Sequence, residues 1–348
     1  MEMDTTGMSR DALHAIAQAM VADDKGLLAI DESNRTCNRR FAAQGIPQTE
    51  EARRAWRELI LTTPGLGQSI SGVILYDETI RQSDHAGTSF LSIIAAAGIM
   101  PGIKVDIGLT DLAGHPREQA TEGLDGLRRR LAAYAAMGAC FAKWRAVFAP
   151  APGLPTRTAI ETNAHALARY AALCQEAGLV PVVEPEVLMA GNHGLARCAQ
   201  VTETVLRAVF AHAGDQGVML EGMVLKTNMV LPGADCPVQD GLDAVAGATL
   251  TCLMRAVPAA VPAVVFLSGG QSALLASARL NALHGVAAGI APWPLSFSFA
   301  RAIQQPALEI WHGDAAQAPA AQVALVHRAG CNRAARRGEY LAATDSGK

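Results

Sequence analysis

Only five lysines stand among the 29 lysine and arginine residues of this 348-residue chain: Lys25, Lys104, Lys143, Lys226 and Lys348. The two residue types are not interchangeable. A desolvated amine can shed its proton near neutral pH and attack a carbonyl carbon, whereas a guanidinium stays charged. Lys226 lies in EGMVLKTNMV, a run that is otherwise almost wholly apolar. An apolar wall and a second ammonium both push a lysine from about 10.4 toward roughly 7 to 8. Lys143 is the candidate second cation, and Lys104 is the third lysine placed in a strand-like run. The alternative for Lys226 is a lysine at a rim whose head snorkels to water.

Glu184 and Glu186 stand two apart in VPVVEPEVL, and Lys143 and Arg145 two apart in FAKWR. Alternation along a strand puts each pair on one side. The carboxylates suit acid–base work on a carbinolamine, or an ordinary ion-pair network with Lys143 and Arg145. Asp31 in AIDES is either the N-cap of a following helix or a proton acceptor at the same rim. In FLSGGQS, Ser268, Gly269 and Gly270 form a turn whose backbone N–H groups can approach an anion, and Arg301 in SFAR supplies charge. Such a turn is commonplace alone, but its place late in the strand order favours a phosphate. No dinucleotide fingerprint, Walker loop, C-x-x-C pair or H-x-x-x-H spacing occurs, so no metal or cofactor is expected.

These residues need a scaffold that gathers them. Eight β-rich runs can be read: GLLAIDES, SGVILYDET, GIMPGIKVD, ACFAKWRAVF, LVPVVEPEVL, LEGMVLKTN, PAVVFLSGG and PWPLSFSFAR. Helical segments such as GLDGLRRRLAAYAAM and ETNAHALARYAALCQEAG separate them, with apolar residues at three- and four-residue spacing. Eight alternations with near-continuous apolar strands predict an α/β fold, a closed (β/α)8 TIM barrel, spanning 1–348 as a single domain with an N-terminal helix and a short C-terminal tail. Catalytic groups of that fold collect at the C-terminal strand ends, and there stand Asp31, Lys104, Lys143, Arg145, Glu184, Glu186, Lys226, Ser268, Ser298 and Arg301. Charges of both signs at one end offset the cost of burying either.

Half of the residues are hydrophobic, enough for a large core. A net charge of −3 with no basic run beyond Arg128-Arg129-Arg130, read as a solvated helix face, argues against nucleic acid or membrane as partner. Seven scattered cysteines read as reduced thiols of a cytoplasmic protein. The acidic start, without a basic leader and apolar core, predicts an unprocessed soluble chain.

The motifs stand in the order of a known family: LLAIDESNRTCNRRF, PGLGQSISGVILYDET, GIKVDIG, EGLDGL, FAKWR, LARYA, VPVVEPEVL, VLKTNMV, VFLSGGQS and FSFARA. From about Leu13 to Tyr340 the chain resembles a class I fructose-bisphosphate aldolase, the metal-free Schiff-base type, closest to the plant plastid and bacterial branch. The resemblance implies that Lys226 forms a Schiff base with the ketose C2 and that Asp31 deprotonates the C4 hydroxyl. Lys143 depresses the pKa of Lys226, and Glu186 serves as acid and base with Glu184 supporting. Ser268, Gly269, Gly270, Ser298 and Arg301 hold one phosphate. Ser33, Thr36, Arg39 and Lys104 hold the other, with Arg145 at the sugar or phosphate. It further implies a phosphorylated sugar as substrate, service in glycolysis, gluconeogenesis or a carbon-fixation cycle, and a homotetramer.

Four positions depart from the family pattern: Asn38 for glycine, Arg39 for lysine, Ile107 for lysine, and Thr227 beside the Schiff-base lysine. The first two put the loop around the second phosphate in question. The sequence ends at LAATDSGK without the longer tyrosine tail of many relatives, which predicts slower enamine protonation or another proton donor. Other readings are an aldolase of sedoheptulose bisphosphate or fructose 1-phosphate, a transaldolase-like or deoxyribose-phosphate-type enzyme, and a non-enzymatic aldolase-like binding protein.

Overall fold

The computed structural model describes residues 10–345. Its ten strands are β1 (Gly26–Ala29), β2 (Ile70–Leu75), β3 (Met100–Lys104), β4 (Gly108–Asp111), β5 (Gln119–Glu122), β6 (Phe141–Phe148), β7 (Val180–Val187), β8 (Val224–Thr227), β9 (Val264–Phe266) and β10 (Leu295–Phe299). Eight of them close a parallel barrel in the order β1-β10-β9-β8-β7-β6-β3-β2. The expected (β/α)8 barrel is therefore present, each strand coinciding with one of the eight apolar runs, although β2 starts one residue ahead of its run at Ile70. Every residue of β1, β2, β7, β8, β9 and β10 is buried, as strands covered by helices on one side and packed inside on the other must be.

Two cores result. The larger lies between the barrel and its helices. The helix Arg157–Glu176 shows how it is built: Ile160, Ala164, Leu167, Ala171 and Cys174 repeat at three- and four-residue spacing and are buried. Thr156 caps its start by accepting from Ala159 N, and the Tyr170 hydroxyl donates to Ala142 O in β6 at 2.7 Å. The smaller core fills the barrel floor with Leu27, Ile74, Phe141, Val182, Val224 and Val265. Phe141 spans that interior, and a Cβ on Gly102 of the neighbouring strand would stand 2.2 Å from its ring. Leu13 and Ala17 of the helix Arg10–Ala19 join this cluster and close the floor from below. Chemistry is thereby confined to the opposite end.

The antiparallel hairpin β4–β5 has no counterpart among the eight runs. It leaves after β3 and folds back at the barrel mouth, anchored by Thr121 Oγ1 donating to Arg145 O at 2.8 Å and Asn163 accepting from Thr121 N. The arginine triplet is only partly a solvated face. Arg128 pairs with Glu176 at the surface, but Arg130 turns inward and donates to Val105 O and Gly123 O, the connections on either side of the hairpin. No helix among the described residues is long and apolar enough to cross a membrane.

Candidate active site

The C-terminal ends of the barrel strands surround an open cavity of about 980 Å³. Four charged side chains form its floor. Lys226, in β8, lies 3.1 Å from Glu184 Oε1, and Glu184 Oε2 lies 3.2 Å from Lys143 Nζ. Lys143 in turn pairs with Asp31 Oδ2 at 2.6 Å. The strands dictate this chain of contacts: Lys143 and Glu184 come from the paired β6 and β7, Lys226 from β8 beside them, and Asp31 from just past β1. All four are buried, two of each sign, so the cost of desolvating each is met by its neighbours.

Their electrostatics follow from that alternation. Burial alone raises the Asp31 carboxyl, but Lys143, then Lys226 and the hydrogen bond from Lys143, outweigh it and hold its pKa at about 2. Burial also opposes charge on Lys143, yet Asp31, Glu184 and Asp106 carry it well above the ordinary lysine value. Glu184 is raised by burial and pulled below the usual carboxylate range by Lys143, Lys226 and Arg145. Asp31 is not a helix cap. Ser33 takes that place, accepting from Thr36 N at the start of the helix Asn34–Ala42.

Glu186 stands apart from the lysines, bound by Arg145 Nε at 2.5 Å. Of the two glutamates, Glu184, expected only to support Glu186 in acid–base work, is the one that touches the amine. Alternation explains the difference, because Glu186 lies one pleat nearer the mouth than Glu184.

Two groups of residues suited to holding an anion border the floor. After β9, Gly269 and Gly270 have φ of 57° and 97°, a backbone open to glycine at little cost, and Gln271 N closes the turn onto Ser268 O at 2.9 Å. The turn runs into the helix Ala273–Ala287, capped by Ser272, and Arg279 braces it from behind through Gln271 Oε1 at 3.0 Å. A Cβ on Gly270 would lie 3.4 Å from Arg301 Nη2, so this guanidinium lies over the turn. Ser298 Oγ, in β10, is buried and has no hydrogen-bond partner, which leaves a hydroxyl for something in the cavity. After β1, the capped first turn of Asn34–Ala42 presents Ser33 and Thr36, and Arg39 follows one turn on. Lys104 joins them across the mouth, paired with Asp106 at 2.6 Å. Of the catalytic and binding residues expected from sequence, Gly270 alone does not line the cavity.

Asn38 and Arg39 do not lie in a loop, as the sequence reading had it. They sit inside Asn34–Ala42, and Asn38 Oδ1 accepts from Arg53 Nη1 at 2.9 Å, tying that helix to Glu50–Leu61. Ile107 is 71% exposed at the rim, and Thr227 is buried beside Lys226. The sequence reading missed Asp106, Arg35, Tyr76 and the hairpin residues Gly108 and Leu109, all of which line the cavity. For Asp106 a signal existed, since it stands two residues after Lys104.

The family model for fructose-bisphosphate aldolase class-I matches residues 12–348. A probable fructose-bisphosphate aldolase class 1 of Xanthomonas campestris pv. campestris is 55% identical over 307 residues, covering 88% of this chain and 91% of that protein. The chloroplastic fructose-bisphosphate aldolase 1 of Chlamydomonas reinhardtii is 47% identical over 97% of this chain and 89% of its own. Among solved structures, fructose-bisphosphate aldolase from Plasmodium falciparum, in a ternary complex with TRAP and a small-molecule inhibitor, superposes with a TM-score of 0.93. It is 42% identical, over 98% of this chain and 99% of that one.

Proposed function

We propose a division of labour in this cavity from one premise: the chain belongs to the class I fructose-bisphosphate aldolase family. The activity is that of a lyase, reversible cleavage of fructose 1,6-bisphosphate to dihydroxyacetone phosphate and glyceraldehyde 3-phosphate through a lysine Schiff base. The observation that carries the assignment of roles is Glu184, which contacts Lys226 and Lys143 with its two oxygens.

Lys226 attacks C2 of the open-chain ketose, and Glu184 moves the protons that carbinolamine formation and loss of water require. The resulting iminium withdraws electrons from the C3–C4 bond. Asp31, ionised beside Lys143, takes the C4 hydroxyl proton as that bond breaks, and glyceraldehyde 3-phosphate leaves. The enamine is protonated at C3, and water then hydrolyses the iminium to dihydroxyacetone phosphate and the free amine. Lys143 remains cationic and stabilises negative charge developing on substrate oxygens. Arg145, fixed by Glu186, faces the sugar.

The glycine turn with Ser268, Ser298 and Arg301 takes one phosphate, and Ser33, Thr36, Arg39 and Lys104 take the other. Two such groups favour the bisphosphate over fructose 1-phosphate. We read the chain as a single domain working in the cytoplasm as a homotetramer, states that fractionation and sedimentation would check.

The test is peptide mapping after incubation with dihydroxyacetone phosphate and borohydride. One reduced adduct is expected on Lys226 and none in Lys226→Ala. Absence of the adduct from the unaltered chain overturns the reading. Glu184→Gln should slow trapping by about 10²-fold or more, as loss of a general acid–base does, and Glu186→Gln by far less. The reverse order would restore Glu186 to that role.

A further inference from the structure

Away from the barrel mouth, His327, Cys331 and Asp345 come together where the helix Ala318–Arg336 meets the short helix Ala342–Asp345. His327 and Cys331 are four apart on one helix and therefore share a face. His327 Nε2 lies 3.5 Å from Cys331 Sγ and 2.8 Å from Asp345 Oδ1, and the three donor atoms lie within 4.8 Å of one another. No other cluster of three or more histidine, cysteine or acidic side chains with that spacing occurs among the described residues.

We propose that these three side chains form a mononuclear site for a divalent transition metal of the zinc class, which clamps the helix Ala342–Asp345 onto Ala318–Arg336. Tetrahedral zinc, with nitrogen at about 2.0 Å and sulfur at about 2.3 Å, sets those two ligands roughly 3.5 Å apart. The helix already holds His327 and Cys331 at that separation. The carboxylate oxygen has to retreat from the imidazole by about half an ångström to reach the corresponding nitrogen–oxygen spacing. One nitrogen, one sulfur and one oxygen suit zinc or cobalt, and poorly suit calcium or magnesium, which take oxygen ligands.

The carboxylate is oriented for this role. Its second oxygen is held by Arg328 Nη1 and by the Tyr340 hydroxyl at 2.6 Å, which leaves Oδ1 aimed at His327. Arg328 is itself fixed to Ser277 Oγ at 2.6 Å and Ala273 O at 2.7 Å. Such outer hydrogen bonds commonly orient metal-ligating carboxylates. A thiolate and a carboxylate supply two negative charges to a divalent ion, and the Arg328 charge is engaged by the far carboxylate oxygen. The imidazole, 31% exposed, gives the ion a way in. The sequence carries the pair as H-x-x-x-C, a spacing that a search for two histidines passes over.

The test uses the full chain, stripped with chelator, kept reduced and titrated with Co²⁺ as a spectroscopic probe. One equivalent is expected to give a thiolate-to-cobalt charge-transfer band that Zn²⁺ displaces. Cys331→Ser should abolish the band, and His327→Ala should weaken binding at least tenfold. Tyr340→Phe, which removes only an outer hydrogen bond, should weaken it about tenfold or less. Borohydride trapping at Lys226 reports that each variant is folded, because none of the three residues touches the cavity. Absence of a band in the unaltered chain overturns the proposal. So does a band of equal strength and midpoint in Cys331→Ser, which would place the metal on other cysteines.

Discussion

Glu184 is the hinge of the charge arrangement on the cavity floor, since it alone faces both Lys143 and Lys226. Replacing it by alanine leaves Lys226 without its ion-pair partner and Lys143 opposed by Asp31 and the more distant Asp106. Removing one partner of a buried ion pair costs about 3 to 5 kcal/mol, and Glu184→Ala should lose stability of that order in denaturant unfolding. A loss under about 1 kcal/mol would mean that water reaches the floor and solvates the lysines. Asp31 carries the other residue-scale consequence. Its pKa is about 2 in the fold, against about 3.9 unfolded. The stability it contributes, about 2 to 3 kcal/mol, is complete above pH ~4 and is lost as pH falls through ~2. The urea midpoint should drop over that window, and drop less steeply in Asp31→Asn. Equal slopes in the two proteins would place the acid sensitivity elsewhere.

The helix Asn34–Ala42 is the element on which the sequence reading and the structure part most clearly. Asn38 in place of glycine put a phosphate loop in question; it is a helical side chain bound to Arg53, which in turn grips Glu78. Asn38→Gly should therefore lose about 1 to 2 kcal/mol, from a helical glycine and a lost hydrogen bond, with KM for the bisphosphate unchanged. A several-fold shift in KM without a stability change would return the position to the site. Legibility tracks burial. The eight barrel strands could be read because covered parallel strands are apolar throughout, and Lys226, Glu184 and Lys143 could be read as charges inside such runs. The hairpin β4–β5 could not: Leu109, Thr110 and Asp111 are exposed, and four-residue strands of mixed polarity leave no periodic signal. Which glutamate meets the amine was equally hidden, because alternation gives Glu184 and Glu186 the same side and only depth in the barrel separates them.

At the scale of the whole molecule, the chain is slightly acidic, with a net charge of −3, yet its mouth carries Arg35, Arg39 and Arg301 in addition to Lys104 and Arg145, which its carboxylates Asp106 and Glu186 pair with. Asp106, Glu186 and Glu32 are each already paired with a cation. A concave, low-dielectric wall focuses such a field outward, so a substrate with two phosphates is drawn in from beyond contact range. Raising ionic strength from ~0.01 to ~0.15 M shortens the screening length from ~30 to ~8 Å and should lower kcat/KM for the bisphosphate several-fold. The effect should be smaller for fructose 1-phosphate, which carries one phosphate fewer. Because the floor charges lie buried and pair with one another, kcat should hardly move. Arg39→Ala ought to raise KM and flatten the salt response together, whereas Arg39→Lys should keep the slope, since steering depends on charge and not on the shape of the guanidinium. A salt response that is identical for both substrates would mean that attraction acts only after contact. The exposed arginines would then be docking groups for bound phosphate, not a field that guides it.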